Sequence, residues 1–204
     1  MFFKEIILDP THDSLIESFL DNLSRTNESI LGYHYPFYRK ILENIGVGEA
    51  LYVGQIDQNN NLSAILPGFI KSSDLGTVYS SLPFFSPNAS IICDYNSTIY
   101  KEIHRSLYDF LLNHLKNYEM ISASFCTPFN AYKIMPVYNE YFRKSFIVNK
   151  FTSYLKLNEF KLNPGLEYDI RKAIKSGVII SSEIKANDID IIYEIYYNNC
   201  MDYG

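Results

Sequence analysis

Leu51-Tyr52-Val53-Gly54-Gln55-Ile56, then Asp57-Gln58-Asn59-Asn60-Asn61, then Leu62 to Ile70 is the stretch that decides the fold. Two apolar, β-branched and aromatic runs flank five residues of turn chemistry. Asn and Asp tolerate positive φ, so the segment predicts a β-hairpin. Working outward, Gly76 to Leu82 predicts a third strand, broken at Pro83, and Pro83 and Pro87 make the next segment a loop because proline cannot donate to a ladder. Ser90 to Cys93 is a candidate short strand.

On the N-terminal side, Phe2 to Leu8 predicts a strand. Leu15, Ile16, Phe19, Leu20 and Leu23 recur at helical spacing after the cap-forming Thr11, His12 and Asp13. Pro36 opens a helix over 37–45, which Gly46 closes. On the C-terminal side, Asn96, Ser97 or Thr98 caps a long helix to about Tyr118, with Ile99, Ile103, Leu107, Phe110, Leu111 and Leu115 as its apolar face. Met120 to Phe125 is apolar or small throughout and is expected at the centre of a sheet. Residues 128–144 predict a helix interrupted at Pro136, and 147–157 a strand. The order is that of a mixed-sheet α/β domain.

Asn163-Pro164-Gly165 punctuates the chain. A helix over 166–176 stopped by Gly177, a strand over 178–184 and a helix over 189–200 follow, so the expected division is 1–160 and 161–204. In the last helix, Ile189, Ile192, Tyr193 and Tyr196 lie on one side, with Ile191 and Ile195 on another. A helix apolar on most sides needs neighbours on most sides. The expectation is a domain that continues beyond the last residue, with dimerisation through this helix or its return to the first domain as alternatives.

Composition narrows the function. Of 204 residues, 47% are hydrophobic and 20% charged, as in globular proteins. The net charge of −5 gives no broad basic field for nucleic acid. The chain has 18 Tyr and 14 Phe but no Trp. Tyrosine suits wet clefts and interfaces, although codon bias explains the excess equally well. Cys93, Cys126 and Cys200 are widely spaced and the histidines show no i, i+4 pair, so no metal site is expected. The cysteine usage predicts a reducing, cytoplasmic compartment. No apolar run is long enough for an integral membrane segment.

Leu31-Gly32-Tyr33-His34-Tyr35-Pro36-Phe37-Tyr38-Arg39-Lys40-Ile41-Leu42-Glu43 resembles a stretch shared by FemAB-like proteins. So do Ala64-Ile65-Leu66-Pro67-Gly68-Phe69, Ser80-Ser81-Leu82-Pro83-Phe84-Phe85-Ser86-Pro87-Asn88 and Asp169-Ile170-Arg171-Lys172-Ala173-Ile174-Lys175-Ser176-Gly177-Val178. Together these span most of the chain in order. Ser86 and Ala89 replace glycines of the family pattern. The resemblance implies tandem GNAT-like domains, a mostly antiparallel central sheet flanked by helices, followed here by the first βα unit of a second. It implies bacterial N-acyl transfer, from aminoacyl-tRNA or acyl-CoA to an amine of a peptidoglycan or other envelope or sugar precursor, nucleotide- or lipid-linked. Much of the reacting centre is associated with the second domain, so this chain is expected to bind the acceptor and not to act alone. A non-catalytic GNAT-like binding or dimerisation module is the alternative.

The candidate substrate-binding residues are His34, Tyr38, Arg39, Ser81, Phe84, Arg171 and Lys172. Arg39 offers a bidentate fork for a phosphate or sugar, against the plainer role of a solvated helix charge. Arg171, Lys172 and Lys175 form a basic helical turn suited to tRNA phosphate, against a solvated face supported by Glu167–Arg171 pairing. No Q/R-x-x-G-x-G/A phosphate loop opens a helix, because Gly46-Val47-Gly48 ends one, so no cofactor is expected in this chain. Cys126 lies at a strand end but has no identifiable base, and a buried structural thiol is the stronger reading. His104 and His114 are read as packing or surface residues. No catalytic residue is assigned.

Overall fold

The computed structural model describes residues 3–25, 30–81, 90–127, 161–180, 183 and 185–203. The chain divides into two compact units, Met1–Lys150 and Phe151–Gly204.

In the first unit, β1 (Phe3–Leu8) pairs antiparallel with β3 (Tyr52–Asp57), which pairs with β4 (Leu62–Leu66). The short β2 (Glu49–Ala50) pairs with β5 (Phe69–Ser73), and β5 with β6 (Gly76–Ser80). β7 (Ile92–Cys93) pairs antiparallel with β4. Two four-stranded sheets result, in the orders β1-β3-β4-β7 and β2-β5-β6-β8, where β8 is Met120–Ser124. The two sheets share one kinked hairpin. Val53 faces Leu66 and Ala50 faces Phe69 in an unbroken register, with Leu51 N–H donating to Gly68 O at 2.8 Å between them. Pro67 has no N–H to give, and the ladder parts there.

The expected turn forms. Asp57 Oδ1 accepts from the N–H groups of Asn59 and Asn61, and Asn60 takes φ 61°. At Gly68, a Cβ would overlap the Tyr79 ring, so only glycine lets that buried ring pack across the strand.

The hairpin is covered on both faces. On one face Tyr52, Ile65, Phe69 and Ile92 meet Ile16, Leu20 and Leu23 of α1 (Asp13–Ser24) and Leu42 of α2 (Pro36–Asn44). On the other, Val53, Ala64, Leu66 and Cys93 meet Ile103, Leu107, Tyr108 and Leu111 of α3 (Tyr100–Leu115). Tyr52 and Val53 are adjacent and serve opposite cores, as the strand period requires. A buried amide ties the layers: Gln55 donates to Glu5 at 3.1 Å and to Ser106 at 2.7 Å, and accepts from Ser63. This is the expected mixed, mostly antiparallel α/β architecture.

One detail differs from expectation. Asp9 caps a short 3-10 turn, Pro10–His12, and α1 starts after it with no side-chain cap of its own. Among the described residues β8 pairs with β6, and Ile121 to Ser124 are exposed. The helix and strand predicted over 128–157 lie outside the described residues.

The second unit contains α4 (Pro164–Lys175) and α5 (Ala186–Tyr203). Asn163 caps α4 by accepting from Leu166 N–H at 2.8 Å, and Gly177 ends it at φ 79°. Val178, Ile179 and Ile180 are exposed and take no strand assignment. No described helix is long and apolar enough to cross a membrane.

Candidate functional site

β6 and β8 form the one parallel pairing among the described strands. In open α/β sheets, ligands bind outside the carboxyl ends of such strands, where the connections diverge. Here those ends carry three serines and a cysteine. Ser81 N–H donates to Ser124 O at 3.0 Å and continues the ladder for one step. At the next step the Ser81 hydroxyl, not a backbone carbonyl, accepts the Cys126 N–H at 2.9 Å. The Ser124 hydroxyl donates to Ser80 Oγ at 3.1 Å. On the core face of the two strands the Phe125 ring meets those of Tyr79 and Tyr108, with centroids 5.2 and 5.8 Å away, while the Ser80 and Ser124 hydroxyls lie on the opposite face, as the strand period requires. The Cys126 thiol is exposed, where a buried structural thiol was expected. Hydroxyls and backbone amides can orient a polar acyl or amine group by hydrogen bonding.

A second pairing was not legible in the sequence. Cys93 Sγ on β7 lies 3.7 Å from His104 Nε2 on α3. Burial, and next the Asp94 charge, pushes the Cys93 thiol up to about 12, while burial pushes the His104 imidazole down to about 4. Both partners are therefore neutral at pH 7. A thiolate nucleophile needs the opposite shifts, so this is a packing contact inside a collar of Tyr95, Tyr100 and Tyr108. Of the two roles expected for His104, packing or surface, the buried side chain takes the first.

The sequence-derived candidates fall in three places. His34, Tyr38 and Arg39 sit at the turn into α2. His34 is buried, and its Nδ1 accepts the Leu31 N–H at 3.1 Å. Tyr38 is half-buried, with its ring 6.0 Å from that of Tyr33. Arg39 is only 1% exposed. Its guanidinium pairs with the Asp13 carboxylate, which also takes Lys40 Nζ at 3.0 Å, and lies 5.5 Å over the Tyr52 ring. Burial raises the Tyr52 phenol pKa and the Arg39 charge opposes the rise. Arg39 is thus neither a solvated helix charge nor open to solvent; it locks α2 to α1. Ser81 is buried at the strand ends just described. Phe84 lies outside the described residues. Arg171 and Lys172 belong to α4, where Arg171 bonds Glu167 at 2.8 Å.

The start of α3 offers little to a phosphate. Asp94 Oδ1 accepts the Asn96 N–H and Ser97 Oγ the Ile99 N–H. The segment has no glycine and places a carboxylate beside these donors. No group of three or more His, Cys, Asp or Glu side chains is arranged to hold a metal among the described residues.

No protein-family model and no curated protein matches this sequence. Solved structures do. An aminoglycoside acetyltransferase from an uncultured soil metagenomic sample superposes with a TM-score of 0.53 at 10% identity, covering 76% of this chain and 100% of its own. A probable acetyltransferase gives 0.51 at 15% identity, over 76% and 99%. The fold is that of the GNAT-like acetyltransferases. At these identities it is the fold alone that is shared. A Clostridium acetobutylicum acetyltransferase solved with acetyl-CoA is 14% identical, covers 78% of this chain and 99% of its own, and has a TM-score of 0.48. The first two structures thus cover about three quarters of this chain and nearly all of their own length.

Proposed function

We propose that this protein takes part in N-acyl transfer to an amine, and that its first unit binds the acceptor at the carboxyl ends of β6 and β8. The observation that carries the proposal is the parallel pair itself, ending in Ser80, Ser81, Ser124 and Cys126 inside a GNAT-like fold. A neutral amine attacks the activated acyl carbon, the C–N bond forms as the bond to the donor's leaving group breaks, and the amine proton leaves to solvent or a base. The contribution of this unit is orientation, which can supply several kcal/mol without a dedicated acid or base.

In the finer reading the chain is the acceptor-binding part of a FemAB-like transferase. Its acceptor is an amine on an envelope or sugar precursor, and its donor is held elsewhere. The occupied donors and the Asp94 carboxylate at the start of α3 support a donor other than one gripped there by pyrophosphate. Arg171, Lys172 and Lys175 supply the basic turn for tRNA. Calorimetry with coenzyme A should show no binding, and mass spectrometry should detect acyl transfer to an amino-sugar or peptidyl-lysine precursor only when the full transferase is assembled. Tight coenzyme A binding, or transfer by this chain alone, contradicts the finer reading. A non-catalytic binding module is the second reading, favoured by the neutral Cys93–His104 pair; absence of transfer under every donor would select it.

A further inference from the structure

The second unit has a physical problem that the proposed function leaves unexplained. None of its described residues is buried, and it holds sixteen of the twenty-three exposed large apolar side chains among the described residues. Contiguous exposure of this kind marks an interaction surface. α4 exposes Leu166, Ile170 and Ile174 at 40, 40 and 66%, spaced i, i+4, i+8 on one face. α5 exposes Ile189, Ile192, Tyr193 and Tyr196 at 53 to 65%, also on one face. At these exposures neither helix covers the other's stripe.

We infer that a second copy of this chain covers these faces by exchange, α4 of each protomer packing antiparallel on α5 of its partner. Charge selects this pairing. α5 contains Asp188, Asp190 and Glu194 in its N-terminal half and no Lys or Arg, so α5 against α5 brings like charges together. α4 carries Arg171, Lys172 and Lys175 toward its C-terminal end, so in the dimer α5 competes with tRNA for the same basic turn. Antiparallel packing sets that basic end beside the acidic half of α5. With Ile174 set beside Ile189, Lys175 comes to Asp188, Lys172 and Arg171 come between Asp190 and Glu194, and Asp169 at Glu194 is the one like-charge contact; the fourth acid of α5, Asp202, lies past the start of α4. Helix axes in contact are about 8–10 Å apart, comparable to the screening length of about 8 Å at physiological salt, so these charges act at reduced strength where they flank the stripe. One two-fold operator buries all four helices. Seven or so half-exposed Ile, Leu and Tyr side chains per protomer, at roughly 100 Å² each, approach the ~800 Å² per partner of a standard interface.

The test is sedimentation velocity on the full chain from low to high micromolar concentration, and it measures no acyl transfer. The expected result is a concentration-dependent monomer–dimer equilibrium that weakens as salt rises. Lys172→Glu with Lys175→Glu should weaken it about tenfold, as should Asp190→Lys with Glu194→Lys, and combining all four should restore it. All four positions are on the surface, so the core of the first unit is left intact. A monomer at every concentration overturns the inference, including one in which α4 and α5 close on each other within one chain. A dimer indifferent to the reversals, or an assembly that grows past two copies, overturns it as well.

Discussion

Arg39 shows how far a single residue's environment can depart from its type. Its sequence position, three residues after the helix-opening Pro36, suggested an exposed or ligand-facing cation, yet it is among the largest fully buried side chains. Removing one partner of a buried ion pair leaves the other poorly solvated. Arg39→Ala should therefore lose about 3 kcal/mol of stability in urea denaturation, whereas Lys40→Ala should lose well under about 1 kcal/mol. His104 adds a pH dependence with a defined sign. Its folded pKa, about 4, lies below its ordinary value of 6.5, so the unfolded chain binds more protons between those limits. Stability attributable to His104 is intact above pH 6.5 and falls, by at most about 1.4 kcal/mol per pH unit, as pH drops toward 4. Thermal denaturation across that range should show the loss, and His104→Phe should reduce it. The cysteines divide by the same physics: Cys126 and Cys200 are exposed and should react with a thiol reagent at pH 8 in the native protein, whereas buried Cys93 should react only on unfolding.

At the scale of elements, the hairpin over 51–70 was legible because its signals are local: alternating strand residues and an Asp/Asn turn. The stop at Gly177 was legible for the same reason, and Asn163 as a break in the chain, though not as the cap it forms. The parallel pairing of β8 with β6 was not legible, because an apolar-or-small strand does not name its neighbour. The pairing of Cys93 with His104 left no sequence trace, since it joins a strand to a helix across the core. Ser81 was picked out through a family resemblance, but its role, a hydroxyl standing in for a backbone carbonyl in the β6–β8 ladder, needed the structure. Ser81→Ala leaves the Cys126 N–H without that acceptor and should cost about 1–2 kcal/mol. Gly68→Ala forces the Tyr79 ring aside at the kink between β4 and β5. It should cost about 1–3 kcal/mol in urea denaturation and leave the far-UV circular dichroism spectrum unchanged, as expected for local overpacking.

For the whole molecule, the fold over 76% of the chain is shared with acetyltransferases only 10 and 15% identical to it in sequence. Fold of this kind is carried by the hydrophobic pattern and the turns, which tolerate wholesale replacement of residues. Fold does not fix function, so the proposed acceptor site at the strand ends has to be tested directly. The most direct measurement is a backbone amide nuclear magnetic resonance titration of the protein with a precursor bearing a free primary amine, such as a peptidyl-lysine amino-sugar. Acceptor binding at the carboxyl ends of β6 and β8 predicts saturable shifts at Ser80, Ser81, Ser124, Phe125 and Cys126, abolished when the amine is acetylated. Saturable shifts confined to other elements, or none at any concentration, would contradict it.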